Sequence, residues 1–195
     1  MSHWVGYTHK EQAGFGSLLG NSIHVHTGDV FNHPQPTGEV LALADVTIGL
    51  PCTPSKFIGL WNNYHTQAAK QNLSIPAEPL YFIKAASSYL AHKQAIIPPA
   101  SYDGRVVYEG ELGIVIGKTC KNASVEEAEH AIFGYTCVND VTALDLLNKD
   151  ASFAQWTRAK SFDTYGVFGP AIATGLDWKT RAVKTLLNGC VCQDY

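Results

Sequence analysis

The run Val106-Val-Tyr-Glu-Gly-Glu-Leu-Gly-Ile-Val-Ile116 restricts the fold more than any other part of the chain. Its β-branched residues, its length and the flanking Gly104 and Gly117 specify a strand rather than a helix. Strand side chains alternate between faces, so Glu109 and Glu111 leave the backbone on one side, about 6.6 Å apart along the chain. Two carboxylates so placed repel. In an apolar strand the pair must be exposed, share a proton or be neutralised by a cation. An acidic edge that keeps the strand from pairing with another chain meets the first condition. A hard divalent ion meets the last, and Mg²⁺ suits an oxygen-only donor set because it binds few carboxylates and keeps positions open for substrate oxygens. Asp140, which ends the apolar run Tyr135-Thr-Cys-Val-Asn-Asp140, is the candidate third ligand.

Around this strand the chain reads as a β-dominated α+β protein with a few short helices and no regular βαβ succession. Residues 1–50 are expected to form a small β-rich lobe, with the apolar runs Ser22–Val25 and Glu39–Ala44 separated by Thr27-Gly28-Asp29 and His33-Pro34-Gln35-Pro36. The stiff segment Leu50-Pro-Cys-Thr-Pro-Ser55 marks the boundary to a second domain over 51–195. Within it, Lys56–Leu60, Leu80–Ala85 and Ile132–Val141 read as strands and Asn62–Leu73 as a helix. Ser124-Val-Glu-Glu127 forms a capping box opening a helix to His130 or Ala131, and Thr142 is expected to cap a further helix to Asn148.

With 14 Lys plus Arg against 17 Asp plus Glu, the formal net charge is -3 and no basic block occurs, so neither nucleic acid nor a membrane surface is an expected partner. The N-terminal residues lack the basic and apolar regions of a secretory signal, and no window approaches the ~20 apolar residues of a membrane span. Five scattered cysteines, Cys52, Cys120, Cys137, Cys190 and Cys192, read as reduced core thiols in a cytoplasmic protein. Cys190-x-Cys192 lacks the spacing and second pair of a zinc site, and the same-face histidines His24 and His26 match no ligand pattern.

Five ordered blocks, taken together, carry a resemblance: Tyr108-Glu-Gly-Glu-Leu112, Gly134-Tyr-Thr-Cys-Val-Asn-Asp-Val-Thr-Ala143, Ala159-Lys-Ser-Phe-Asp-Thr164, Gly169-Pro170, and Asn188-Gly189 followed by Gln193. From about Pro54 onward the sequence resembles the fumarylacetoacetate hydrolase family. The resemblance implies a mixed β-sheet roll of the β-clip type and a divalent metal, Mg²⁺ or Mn²⁺ with Ca²⁺ as a further candidate, held by Glu109, Glu111 and Asp140. It also implies action on a small 2-oxo or 2,4-dioxo acid, by C–C bond hydrolysis, decarboxylation or isomerisation, in aromatic-compound or amino-acid catabolism. These three reactions share one requirement, stabilisation of an enolate by positive charge on the substrate oxygens.

By the same resemblance Lys160 lies beside the substrate, Thr164 bonds its carboxylate, Asp163 supports the site, and Ser87, in the segment after Lys84, contacts it near the entrance. His65 falls where many relatives carry the histidine of a His-Glu pair on a mobile lid and is the expected acid/base. Three departures qualify the match. The lid glutamate is absent, since Ala68, Gln67 and Lys70 stand nearby, which disfavours water activation. Leu144 replaces a frequent arginine. Relatives continue past Asn188-Gly189 into further strands, so the alternative reading is a truncated, catalytically weak metal- and acid-binding subunit. A homodimer is expected from the family.

Overall fold

A computed structural model describes residues 1–195. The first half of the chain contributes β1 (Ser2–His9), β2 (Gln12–Leu19), β3 (Ser22–Asp29), β4 (Asn32–Ala42), β5 (Thr47–Ile48), β6 (Phe57–Trp61), α1 (His65–Lys70), β7 (Leu80–Lys84) and β8 (Tyr89–Leu90). The second half contributes β9 (Val106–Val107), β10 (Gly110–Ile116), α2 (Val125–Ala131), β11 (Ile132–Asp140), β12 (Thr142–Ala143), α3 (Leu144–Leu147), α4 (Trp156–Lys160), β13 (Gly166–Thr174), β14 (Lys184–Leu187) and β15 (Cys190–Asp194). The protein is β-dominated with a few short helices, as the sequence predicts.

One sheet runs in the order β10-β11-β13-β1-β2-β3-β4, with β5 and β8 as side branches. The β8–β13 pairing is parallel and the others are antiparallel, so the sheet is mixed. The strands of residues 1–50 enter this sheet through β1 against β13. Hydrophobic burial is nevertheless divided. Val5, Tyr7, Ile23 and Val25 form one cluster. Val141, Ala143, Leu146, Leu147, Ala159 and Tyr165 form another, beside the site described below.

Several local expectations need correction. The β1–β2 hairpin turns at Lys10 and Glu11, whose φ angles of 48° and 66° give both turn residues the left-handed backbone of a two-residue hairpin without glycine or asparagine to announce it. Thr27-Gly28-Asp29 and His33–Pro36 are not breaks but parts of β3 and β4, joined with register shifts at His24/His26 and Thr27/Asp29. Pro34 and Pro36 lie on the strand that ends the sheet, where a missing N–H is tolerated. The run Val106–Ile116 splits into β9, which pairs with β12, and β10, which pairs with β11. The expected helix over 142–148 begins two residues late, because Thr142 and Ala143 pair with β9. The capping box forms as expected, with Glu127 N donating to Ser124 Oγ at 3.2 Å and Ser124 N to Glu127 Oε2 at 2.8 Å. All five cysteines are free thiols, but Cys120, Cys137, Cys190 and Cys192 are exposed and Cys52 half-buried, so they are not core residues.

Tyr165 is fully buried and its hydroxyl has no hydrogen-bond partner. An unsatisfied buried hydroxyl costs about 1–3 kcal/mol. Tyr165→Phe should therefore leave stability unchanged or raise it by about 1 kcal/mol in denaturant titration. A loss above that magnitude would show that the hydroxyl is satisfied.

Candidate active site

The three carboxylates proposed from the sequence meet. Glu109 stands at the bend between β9 and β10, Glu111 is the second residue of β10, and Asp140 ends the adjacent β11. One oxygen from each lies within 4.8 Å of the others. The bend is held by two bonds across the strand pair: Glu109 N donates to Asn139 Oδ1 at 3.1 Å and Asp140 N to Glu109 O at 2.9 Å. Thr142, expected to cap a helix, instead directs its hydroxyl at Asp140 O, 3.2 Å away, and toward Glu109 Oε2 at 3.4 Å.

Two buried lysines close the cluster. Lys160, the last residue of α4, donates to Glu109 Oε2 and to Asp140 Oδ2. Its Nζ also lies 4.8 Å from the centre of the Phe82 ring, a cation–π arrangement. Lys84, at the end of β7, donates to Asp140 Oδ1 and, at 3.2 Å, to Val141 O. The sequence marks Lys84 only as a landmark near the substrate entrance. Its position at the end of a short apolar strand, with a side chain that is 0% exposed, makes it a full member of the site. No local sequence signal marks it, because its partner Asp140 lies 56 positions away.

Three carboxylates and two ammonium groups leave one negative charge in excess. The excess falls on Glu111, which receives no hydrogen bond: burial, with Asp140 and Glu109 nearby, pushes its carboxyl up to about 8. Burial also raises Glu109, against the opposing pull of Lys160. Burial pulls Lys84 below its ordinary range despite Asp140, whereas the Asp140 and Glu109 carboxylates overcome burial at Lys160 and hold it above. A hard divalent cation fits this donor set: all three ligands are oxygen, one is free of any donor, and three protein ligands leave positions for water or substrate oxygens.

The remaining sequence candidates are placed differently. His65 is exposed as the first residue of α1, and its side chain makes no hydrogen bond. The residue before it, Tyr64, is the one that reaches the site strand, accepting from Leu112 N at 2.9 Å. The Thr164 hydroxyl accepts from Ile97 N at 2.9 Å, pinning the loop before Pro98. Ser87 is exposed, while Ser88 is buried and donates to Ala85 O at 2.7 Å. Asp163 is exposed and touches neither lysine.

Comparison with known proteins places the chain in a family. Residues 56–195 match the family model described as fumarylacetoacetate (FAA) hydrolase C-terminal, and residues 2–51 match one described as Rv2993c-like, N-terminal. The chain belongs to the fumarylacetoacetate hydrolase family. An uncharacterized protein of Archaeoglobus fulgidus is 45% identical over 143 residues, 73% of this chain and 56% of the relative. The human mitochondrial oxaloacetate tautomerase FAHD2B is 36% identical over 137 residues, 69% of this chain and 43% of the relative. The chain thus spans about half the length of these two curated relatives. The crystal structure of 5-carboxymethyl-2-hydroxymuconate delta-isomerase from Mycobacterium smegmatis superposes with a TM-score of 0.89 at 34% identity, covering 99% of this chain and 75% of that one. No helix is long and apolar enough to cross a membrane.

Proposed function

We propose that the protein is a divalent-metal-dependent enzyme that moves a proton on a small 2-oxo or 2,4-dioxo acid through an enolate, an isomerisation or tautomerisation, with Mg²⁺ or Mn²⁺ as the ion. The observation that carries this reading is the convergence of Glu109, Glu111 and Asp140 beside the buried Lys160 ammonium. The names of two relatives, an oxaloacetate tautomerase and a delta-isomerase, point to the same class of chemistry. The missing glutamate partner of His65 argues against water activation, and so against C–C hydrolysis.

An ion held by the three carboxylates would draw electron density from the substrate's carboxylate and oxo oxygens. Lys160 supplies the second positive charge. Two of its three N–H groups are committed to Glu109 and Asp140, and its remaining side faces Phe82. It must therefore give up its Glu109 bond to reach an enolate oxygen. Lys84 keeps Asp140 in place through that exchange, since it bonds the other carboxylate oxygen. His65, one residue from Tyr64, is the proposed carrier of the proton. We further place the protein in the cytoplasm, as a homodimer. Five free thiols suit the former, and the apolar, exposed outer face of β6 and β7, Ile58, Leu60, Tyr81 and Ile83, suits the latter.

Steady-state assays of Mg²⁺- or Mn²⁺-loaded protein with oxaloacetate, a hydroxydienedioate and an acylpyruvate test the reading. Turnover of one of the first two, abolished by chelation and by Glu109→Ala, is expected; activity that survives both would remove the metal from the mechanism.

Glu111 also sets a pH dependence. Folded Glu111 holds its proton more tightly than the unfolded chain, so the metal-free protein should lose stability as pH rises from about 4.5 toward about 8. A cation must displace that proton. Its apparent affinity should climb by up to about tenfold per pH unit over the same interval and level off above it. Isothermal titration with Mn²⁺ from pH 5.5 to 8.5 measures the slope, and a flat profile would refute the displaced proton.

A further inference from the structure

Gly110, the residue between the two ligand glutamates, is gripped from outside the sheet. β10 is the terminal strand of its sheet, so the amides that face away from β11 have no backbone partner. Side chains from two distant segments supply the partners instead. Gln193 of β15 accepts from Gly110 N at 2.9 Å, and the Tyr195 hydroxyl donates to Gly110 O. Two residues on, Leu112 N donates to the Tyr64 hydroxyl. The two tyrosine rings pack together with centroids 4.4 Å apart, which joins the segment leading into α1 to the end of the β14–β15 hairpin. Thr185 of β14 completes the grip, because a Cβ on Gly110 would collide with its Oγ1.

The geometry points to Tyr64, Gln193 and Tyr195 as positioning residues that fix the spacing of Glu109 and Glu111 for cation binding. This rests on the metal reading above and extends it to groups that touch no ligand oxygen. Glu109 and Glu111 flank the gripped peptide. Any rotation of the Gly110 amides swings the two carboxylates relative to each other, and a small divalent ion tolerates little departure from its preferred geometry. On the other side, the β10–β11 ladder fixes Glu111 through the Glu111–Val138 pair, and Asn139 fixes Glu109. The outer edge is the side that Gln193 and Tyr195 hold. Tyr64 adds a connection to the proposed acid/base, since the hydroxyl that caps Leu112 belongs to the residue before His65.

The test is Mn²⁺ affinity, read from the free-Mn²⁺ electron paramagnetic resonance signal, together with hydrogen exchange over residues 108–114, in the full chain carrying Gln193→Met, Tyr64→Phe or Tyr195→Phe. Lys184→Met serves as a control in the same hairpin, because it breaks only the exposed Lys184–Asp194 pair at 3.2 Å. Each positioning variant is expected to weaken Mn²⁺ binding by about tenfold or more, in the range found for groups that orient metal ligands. Exchange should quicken at Gly110 for Gln193→Met and at Leu112 for Tyr64→Phe, and the control should change neither. Tyr64→Phe and Tyr195→Phe remove one oxygen each, so they answer the question if Gln193→Met fails to fold. Wild-type binding with unchanged affinity in the folded variants would overturn the positioning role and leave the metal site standing. Failure of the wild type to bind Mn²⁺ would overturn the metal reading, and the positioning role with it.

Discussion

Asp140→Ala is expected to destabilise the metal-free protein by about 3–5 kcal/mol, the range for removing one partner of a buried ion pair. Both Asp140 oxygens accept from ammonium groups whose side chains are 0% and 3% exposed, Lys84 and Lys160. Taking the carboxylate away leaves Lys84 a buried ammonium with no carboxylate partner and Lys160 with Glu109 alone. For a chain of this length the loss corresponds to a fall in Tm of roughly 6–20 °C. The cause can be separated from simple cavity formation. Adding Lys84→Met to Asp140→Ala removes the stranded charge and should restore part of the loss, so the two substitutions are non-additive. Thermal and urea unfolding in a chelator measure both variants. Simple additivity would mean that the lysines are hydrated and the pair is not buried in the sense argued.

Lys160→Met is expected to lower turnover by about 10²–10³, the range for removing one donor to a developing oxyanion. Methionine preserves the length and apolar stem, so the stacking of Phe82 and Trp156, 5.6 Å apart, should persist. Mn²⁺ affinity should stay within about tenfold of the wild type, because Lys160 competes with the ion for carboxylate oxygens while also preorganising them. A variant that loses metal binding in proportion to activity would assign Lys160 a purely structural role. Retained turnover would remove it from the chemistry.

The parts of the site that were legible in the sequence are those in which chemistry and period coincide. Glu109 and Glu111 were visible because charge recurs at the strand period inside an apolar run, and Asp140 because it ends another. The capping box before α2 is likewise a local signature with a local cause. The family blocks added Lys160. Features decided by distant contacts were not legible. Lys84 joins the site through Asp140, 56 positions away, and nothing beside it in the sequence announces that pairing. Thr142 carries a helix-capping residue type, yet pairing with β9 claims its backbone and Asp140 its hydroxyl. The Lys10-Glu11 turn was invisible because neither residue has the preference its backbone requires. Prolines at 34 and 36 suggested a break where an end strand runs, since an end strand has one side on which a missing N–H breaks no ladder bond. Cys137 was misplaced because an apolar neighbourhood in sequence does not fix which face of a strand is covered: Thr136 and Val138 are buried on either side of it.

A crystal soaked in Mn²⁺ and oxalate, an enolate mimic, examined for anomalous scattering at the manganese edge, bears most directly on the chemistry. One peak bounded by an oxygen of Glu109, of Glu111 and of Asp140, with oxalate on its open side, is the predicted result. A peak elsewhere, or none at a concentration that saturates the protein in solution, would contradict the assignment of these carboxylates as the centre of the reaction.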